Sequence, residues 1–282
     1  NSDTGGTVAQ GDSTNGSGAS GEQINFFAPT DVIGWSIYLA DKKGYFADAG
    51  ANVKVTTFTS GSEAAEAFKA QNGMLLEAGD LPTIRFVNKP GTTVLTTLVS
   101  YVGLNFVVAK DIKTPADLAG KKIAVNKGSS TEFWLDKYLK ENGLDKKVEI
   151  KYLDPGSQPP ALIKRDVDGA AMFMPQAVAT LKSSDFHSLA LWPSALMLVV
   201  DDAFLEKNKA DVIKVIQALD KAAGDIESAP KDALKEVSGQ YGLTDAQYDM
   251  LVDVGKASFR PQFTKSSYDL TQEQMAWLKA RG

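Results

Sequence analysis

The chain has 282 residues, of which 43% are hydrophobic and 23% are charged, as is ordinary for a soluble globular protein. Its net charge of −5 argues against nucleic acid as a partner and against a basic patch that binds a membrane surface. It contains no cysteine, which excludes disulfides, thiolate metal sites and cysteine nucleophiles, and which fits an oxidising compartment. No apolar run approaches the roughly 18 residues of a transmembrane helix.

Residues 1–23 are rich in Gly, Ser and Thr and have no aromatic residue, which predicts a flexible tether. Two origins stay open for this segment. It is either the linker of a secreted lipoprotein below its lipid anchor, or a disordered stretch or remnant of cloning.

From residue 24 the pattern alternates between strands and helices. Strands are predicted at residues 24–28, 52–58, 73–80, 92–100, 104–110, 147–153 and 169–175, and a further strand begins near His187. Helices are predicted at residues 31–50, 60–73, 81–89 and 157–169, and another begins at Thr114 as N-cap, with Pro115 in its first turn. From residue 202 the pattern is almost entirely helical, over residues 209–228, 230–242, 244–258 and 271–281, with Thr244 and Thr271 as N-caps. This order predicts an α/β fold with a helical C-terminal region.

Hydrolytic and metal chemistry are not supported by the residue types present. The single histidine, His187, cannot build a multi-histidine metal site, and no G-x-S-x-G elbow accompanies it. The first strand is not followed by G-x-G-x-x-G, and Lys127 precedes Gly128 rather than following the second glycine of a P-loop. We therefore predict no catalytic residue, no bound metal and no cofactor.

Four predicted strand-to-helix junctions are made of small polar residues: "APTD" (28–31), "TSGSE" (59–63), "AGDLP" (78–82) and "KGSS" (127–130). A fifth, "MFMPQAV" (172–178), enters its helix through Pro175 and Gln176. Ser60 with Glu63, and Ser129 with Glu132, have the spacing of capping boxes. Helix N-termini attract anions, and open α/β sheets bind ligands at the carboxyl ends of their strands. The junctions therefore predict a binding site for a small polar or anionic molecule.

The order of these segments resembles the substrate-binding proteins of ABC importers for nitrate, taurine and alkanesulfonates, the NMT1/THI5-like group. Four stretches carry the resemblance: "IYLADKKGYFADAGANVKVTTFTSGSEAAEAFKAQNG", "AGDLP", "IKTPADLAGKKIAVNKGSSTEFWLDKYLKENGL" and "PPALIKRDVDGAAMFMPQA". The resemblance extends from about residue 24 to the C-terminus, and its most specific part is "TPADLAGKKIAVNKGSS".

The resemblance implies a two-lobed, periplasmic-binding-protein-like (type II) fold with two hinge crossings, near "SYVGLNF" and "WPSALML". Lobe 1 would comprise residues 24–102 and 197–282, and lobe 2 residues 103–196. Ligand would be clamped between the lobes by hinge closure. Trp35 joins the candidate site as an aromatic wall, with a core position as the alternative, and Asp80 would either pair with an amino group or only cap its helix. The candidate ligand-binding residues are Pro29, Thr30, Trp35, Ser60, Gly61, Gly79, Asp80, Gly128, Ser129, Ser130, Pro175 and Gln176.

The resemblance implies a periplasmic or extracytoplasmic solute-binding protein, lipid-anchored at most, that acts as a monomer with a cognate ABC permease. The ligand stays open among taurine and other sulfonates, nitrate-like anions, carboxylates and pyrimidines. One alternative is a THI5-like pyrimidine-precursor enzyme, although that chemistry draws on histidine and cysteine residues that this chain mostly lacks. The other is the ligand-sensing domain of a signalling system.

Overall fold

A computed structural model describes residues 21–29, 34–58, 61–87, 91–238 and 259–281. Several predictions fall outside these ranges. They are the tether up to residue 20, the candidate site residues Thr30 and Ser60, and the helix over 244–258 with its cap Thr244.

Within the described residues, eight strands form one mixed sheet in the order β2-β1-β3-β8-β4-β7-β5-β6. The strands are β1 (Ile24–Pro29), β2 (Val53–Phe58), β3 (Leu75–Gly79), β4 (Thr92–Ala109), β5 (Lys122–Val125), β6 (Glu149–Tyr152), β7 (Gly169–Met172) and β8 (Phe186–Asp201). The helices are α1 (Trp35–Lys42), α2 (Tyr45–Asp48), α3 (Gly61–Ala70), α4 (Asp80–Val87), α5 (Ser130–Glu141), α6 (Gln158–Ile163), α7 (Met174–Thr180), α8 (Asp202–Lys207), α9 (Lys209–Ser228), α10 (Pro230–Ser238) and α11 (Lys265–Arg281). Short 3-10 helices cover Pro115–Leu118 and Pro155–Ser157. This architecture confirms the predicted α/β class.

The sheet consists of two parallel groups joined by two long antiparallel strands. Strand β1 pairs in parallel with β2 and β3, and β5 pairs in parallel with β6 and β7. Between the groups, β4 and β8 pair with each other along nearly their whole length. One end of β8 pairs with β3, while the far end of β4 pairs with β7. Both long strands thus connect the two groups, and the predicted lobe limits at residues 102/103 and 196/197 stay a prediction.

One long strand was predicted as two shorter ones. The sequence predicts separate strands at 92–100 and 104–110, but the structure has one strand over Thr92–Ala109. Its register with β8 shifts between Val102 and Leu104, so a bulge at Gly103 absorbs the irregularity without ending the strand. Strand β8 begins at Phe186, so the predicted strand start near His187 is confirmed.

The last helix also begins earlier than predicted. Helix α11 starts at Lys265, and the Ser267 N–H donates to the Thr264 hydroxyl at 3.1 Å. The predicted cap, Thr271, lies inside the helix and donates its hydroxyl to the Ser267 carbonyl four residues earlier, at 2.7 Å. The prediction that Thr271 caps this helix was therefore wrong, because a threonine hydroxyl also bonds backward within a helix.

Helix α9 spans the predicted residues 209–228 and closes one side of the core. Its buried residues recur at helical spacing and face α1 and α2: Val212, Val215, Ala218, Leu219, Ala222, Ala223 and Ile226. Such a continuous apolar stripe fixes both the helix and the face that it buries.

Candidate functional site

The first three junctions lie at one edge of the sheet. Because β1, β2 and β3 are parallel neighbours, their carboxyl ends meet there, and α3 and α4 begin directly after β2 and β3. A Cβ placed on Gly61 would lie 3.9 Å from the Gly79 nitrogen, so the second and third junctions are adjacent. Pro29 ends β1, and its carbonyl accepts a hydrogen bond from the Tyr38 hydroxyl.

The third and fourth junctions contact each other, although they belong to the two different parallel groups. Asp80 is the first residue of α4 and Ser130 the first of α5, and the Ser130 hydroxyl donates to Asp80 Oδ1. A Cβ on Gly79 would lie 3.9 Å from the Ser130 hydroxyl oxygen. The N-termini of α4 and α5 therefore face one another.

Asp80 is wholly buried and joins three elements. Its Oδ1 also accepts from the Leu81 N–H at 2.7 Å, and its Oδ2 accepts from the Ala195 N–H at 3.2 Å and the Ser194 hydroxyl at 3.3 Å. Burial raises the pKa of Asp80 above the ordinary value, while the hydrogen bonds from Ser130, Leu81, Gln274 and Ala195 act in the opposite direction. Asp80 thus holds α4, α5 and β8 together at the point where β8 passes between the two groups.

The "KGSS" junction is built as its capping box predicts, with one change. Ser129 is the N-cap of α5, and its hydroxyl accepts from the Glu132 N–H at 3.4 Å. The Glu132 carboxylate reaches back to the Gly128 N–H, at 2.6 Å, rather than to the N-cap itself. The N–H groups of Ser130 and Thr131 occupy the first two positions of the helix, where no intrahelical acceptor exists. They are available to an anionic group.

Arg85 is a further cation at this junction. Gly128 has φ of +76°, and a Cβ there would lie 2.5 Å from Arg85 Nη1. The left-handed backbone favours glycine at this position, and the absence of a Cβ lets the guanidinium approach. Arg85 is exposed, and no ion-pair partner for it occurs among the residues that the structure describes.

The remaining candidates lie elsewhere or make other contacts. Trp35 is 3% exposed and stacks on Phe259 with ring centroids 4.9 Å apart, which is the core position that sequence reasoning held as the alternative. At the fifth junction Pro175 lies in the first turn of α7, a helix that packs on β4 and α6. Gln176 is half-buried, and its Oε1 has no hydrogen-bond partner within the described ranges.

Helix α11 makes contacts at this site that the sequence pattern did not predict. Gln274 is wholly buried, and a hydrogen bond from its side chain acts to lower the pKa of Asp80. Toward α5, the Trp277 indole donates to Asp136 at 2.6 Å and Arg281 pairs with Glu132 at 2.8 Å. The spacing of Gln274 and Trp277 within a polar helix was the only signal, and it is weak.

The comparisons with known proteins agree with this architecture. Residues 34–233, more than half of the chain, match the family described as NMT1/THI5 like. The chain belongs to this family. It is 31% identical to the taurine-binding periplasmic protein of Escherichia coli strain K12, over 64% of this chain and 58% of that protein, so the chain spans less than two thirds of this relative.

Solved structures share the fold of this NMT1/THI5-like protein. The periplasmic aliphatic sulphonate binding protein SsuA of Escherichia coli superposes with a TM-score of 0.76 at 21% identity, over 93% of this chain and 88% of its own. The alkanesulfonate-binding protein SsuA of Xanthomonas axonopodis pv. citri, bound to MOPS, gives 0.75 at 21% identity, over 93% and 94%. The predicted family and two-lobed type II fold are confirmed.

Two of these similar proteins, the taurine-binding protein and the SsuA of Escherichia coli, are described as periplasmic binding proteins. Among the described residues, no helix is long and apolar enough to cross a membrane. The same residues contain no group of three or more His, Asp or Glu side chains arranged to hold a metal ion.

Proposed function

We propose that this chain is the solute-binding component of an ABC importer and captures a small organic anion or zwitterion, of the sulfonate or taurine type, by hinge closure. The observation that carries the proposal is the contact between Asp80 and Ser130, which brings the N-termini of α4 and α5 together from the two halves of the sheet. Helix N-termini that face each other form an anion-binding cleft without any catalytic group.

The residues around this contact match both ends of a zwitterion. The free N–H groups of Ser130 and Thr131, with the Arg85 guanidinium beside Gly128, favour a sulfonate or carboxylate. The Asp80 carboxylate is the acceptor that an ammonium group would use, once it displaces the hydroxyl of Ser130. Nitrate-like anions, carboxylates and polar heteroaromatics such as pyrimidines would use only the N–H groups and Arg85.

Capture requires that the two halves separate and close again. Strands β4 and β8 connect them, and the Asp80 contacts with Ser194 and Ala195 lie on β8 itself. Closure about these strands would bury the ligand and form the surface that a cognate permease recognises. A monomer suffices for this role, and an N-terminal lipid anchor would keep the protein near the permease.

The experiment is thermal unfolding of the full chain with taurine, ethanesulfonate, nitrate, benzoate and a pyrimidine, each in excess. A ligand at about 100 times its Kd stabilises the fold by about 2.7 kcal/mol, which raises Tm by roughly 5–10 °C. We expect taurine or a sulfonate to do so, and mass spectrometry of the denatured complex to recover that ligand unchanged. A chemically altered product would favour the enzyme, and no shift with any anion or zwitterion would contradict the proposal.

A further inference from the structure

A second cavity lies between α4 and α11, over the sheet strands β4 and β8. Its volume is about 490 Å³, within the range of small-molecule sites. Neither Asp80 nor the "KGSS" junction lines it. It is therefore distinct from the cleft proposed above.

Much of the lining of this cavity is apolar. Its apolar side chains include Ile84 and Val87 of α4, Met275 and Leu278 of α11, and Met197 of β8. Val87, Met275 and Leu278 are only half-buried, and Phe263 at the rim is 47% exposed. A hydrocarbon group placed here would gain the burial that these side chains lack.

The lining of the cavity also carries positive charge. Arg85 and Lys279 line it, are exposed, and have no ion-pair partner among the described residues. Arg281 also lines it, but it is engaged by Glu132 at 2.8 Å and by Asp136 at 3.4 Å. Two cations with no ion-pair partner in the described ranges, in a largely apolar lining, favour an anion with a hydrocarbon tail.

We propose that this cavity binds an amphipathic organic anion, with its alkyl tail between α4 and α11 and its anionic head on Arg85 and Lys279. The site is additional to the cleft at Asp80 and Ser130. Arg85 lies between the two, because its guanidinium also rests against Gly128.

The test is titration calorimetry of the full chain with unbranched carboxylates of four to ten carbons, at pH 7.5 and low salt. Each added methylene should tighten binding about fourfold until the cavity is filled, since each buried methylene is worth about 0.8 kcal/mol. Octylammonium, which has the same tail and the opposite charge, should bind at least tenfold more weakly than octanoate. Affinity that does not depend on chain length, or no saturable binding at all, overturns the proposal.

Variants locate the site. Arg85→Gln/Lys279→Gln should weaken octanoate binding at least tenfold and remove most of its salt dependence. The matched control is Lys265→Gln on the same helix, whose ammonium is already paired with Asp269, and it should leave the affinity unchanged. Met275→Trp should fill the cavity and abolish binding. Ser129→Ala/Ser130→Ala should keep it, and the reverse pattern, with loss only in the serine variant, would assign octanoate to the cleft and overturn the proposal.

Discussion

At the scale of single residues, Gly128 has a left-handed backbone and lies against Arg85 at the candidate site. Gly120 is a matched control, because both glycines have φ of +76° but a Cβ on Gly120 would meet no atom within 4 Å. We predict that Gly128→Ala and Gly120→Ala each lower the free energy of unfolding by about 1–2 kcal/mol, the backbone cost of a left-handed conformation. The far end of Arg85 is flexible and can move away at little further cost.

The two glycine variants should differ in binding. In Gly128→Ala the methyl group displaces the Arg85 guanidinium from the junction, so the affinity for the anionic ligand identified by thermal unfolding should fall severalfold. In Gly120→Ala it should not change. Urea unfolding and titration calorimetry measure the two quantities, and equal affinities in both variants would show that Arg85 does not serve the cleft.

Asp80 predicts a pH dependence of stability. Burial raises the pKa of Asp80 in the folded state above its value in the unfolded chain. The Asp80 carboxyl therefore contributes fully to stability below its unfolded pKa, and this contribution is lost as pH rises through its folded pKa. Asp80→Asn lacks this term. Wild type should therefore gain stability relative to Asp80→Asn as pH is lowered from 8 to 5.

Urea unfolding of both proteins at pH 8, 6.5 and 5 measures this difference. If the stability of wild type relative to Asp80→Asn instead falls as pH is lowered, then the four hydrogen bonds to the carboxylate outweigh its burial and the pKa of Asp80 is lowered.

At the scale of elements, the start of α11 differs between the sequence prediction and the structure. Thr264 caps the helix in the structure, whereas Thr271 lies within it. Thr264→Ala should cost about 1 kcal/mol of stability. Thr271→Ala should cost less than about 0.5 kcal/mol, because alanine is the better residue inside a helix. A larger loss of stability in Thr271→Ala than in Thr264→Ala, measured by urea unfolding, would show that Thr271 caps the helix.

The elements that the sequence predicts well are those whose signals are local and strong. Helix α9 has a continuous apolar stripe, and both of its ends were predicted. Helix α11 has no such stripe, because its buried Gln274 and half-buried Trp277 occupy positions that apolar residues would mark elsewhere. Strand β4 was split at Gly103, since a glycine in a strand marks a bulge and a turn equally well.

At the scale of the whole molecule, α11 ties the two halves together through α5. The Trp277 indole donates to Asp136, and its ring packs edge-on against Phe133, with the ring centroids 5.7 Å apart. Trp277→Phe keeps most of the ring but loses the hydrogen bond to a carboxylate, so the free energy of unfolding should fall by about 1.5–3 kcal/mol. The control is Tyr268→Phe, an exposed position of the same helix, which should change stability by less than about 0.5 kcal/mol. Equal effects of the two variants in urea unfolding would contradict this role for α11.

The candidate site was predictable in its parts and not in its assembly. The capping box of Ser129 and the helix start at Asp80 are read from four consecutive residues each. The contact between Ser130 and Asp80 joins residues 50 positions apart and depends on the order of strands in the sheet, which no local pattern encodes. Only the resemblance to a two-lobed family placed these junctions opposite each other.

The facing N-termini of α4 and α5 are proposed to hold the ligand together with the hydroxyls of Ser129 and Ser130. The most direct test of this proposal is titration calorimetry of the ligand found by thermal unfolding, with wild type, Ser129→Ala/Ser130→Ala and the exposed control Ser228→Ala. The double variant should bind this ligand at least tenfold more weakly than wild type, and the control should bind it with unchanged affinity. Equal affinity in all three proteins would contradict the proposal.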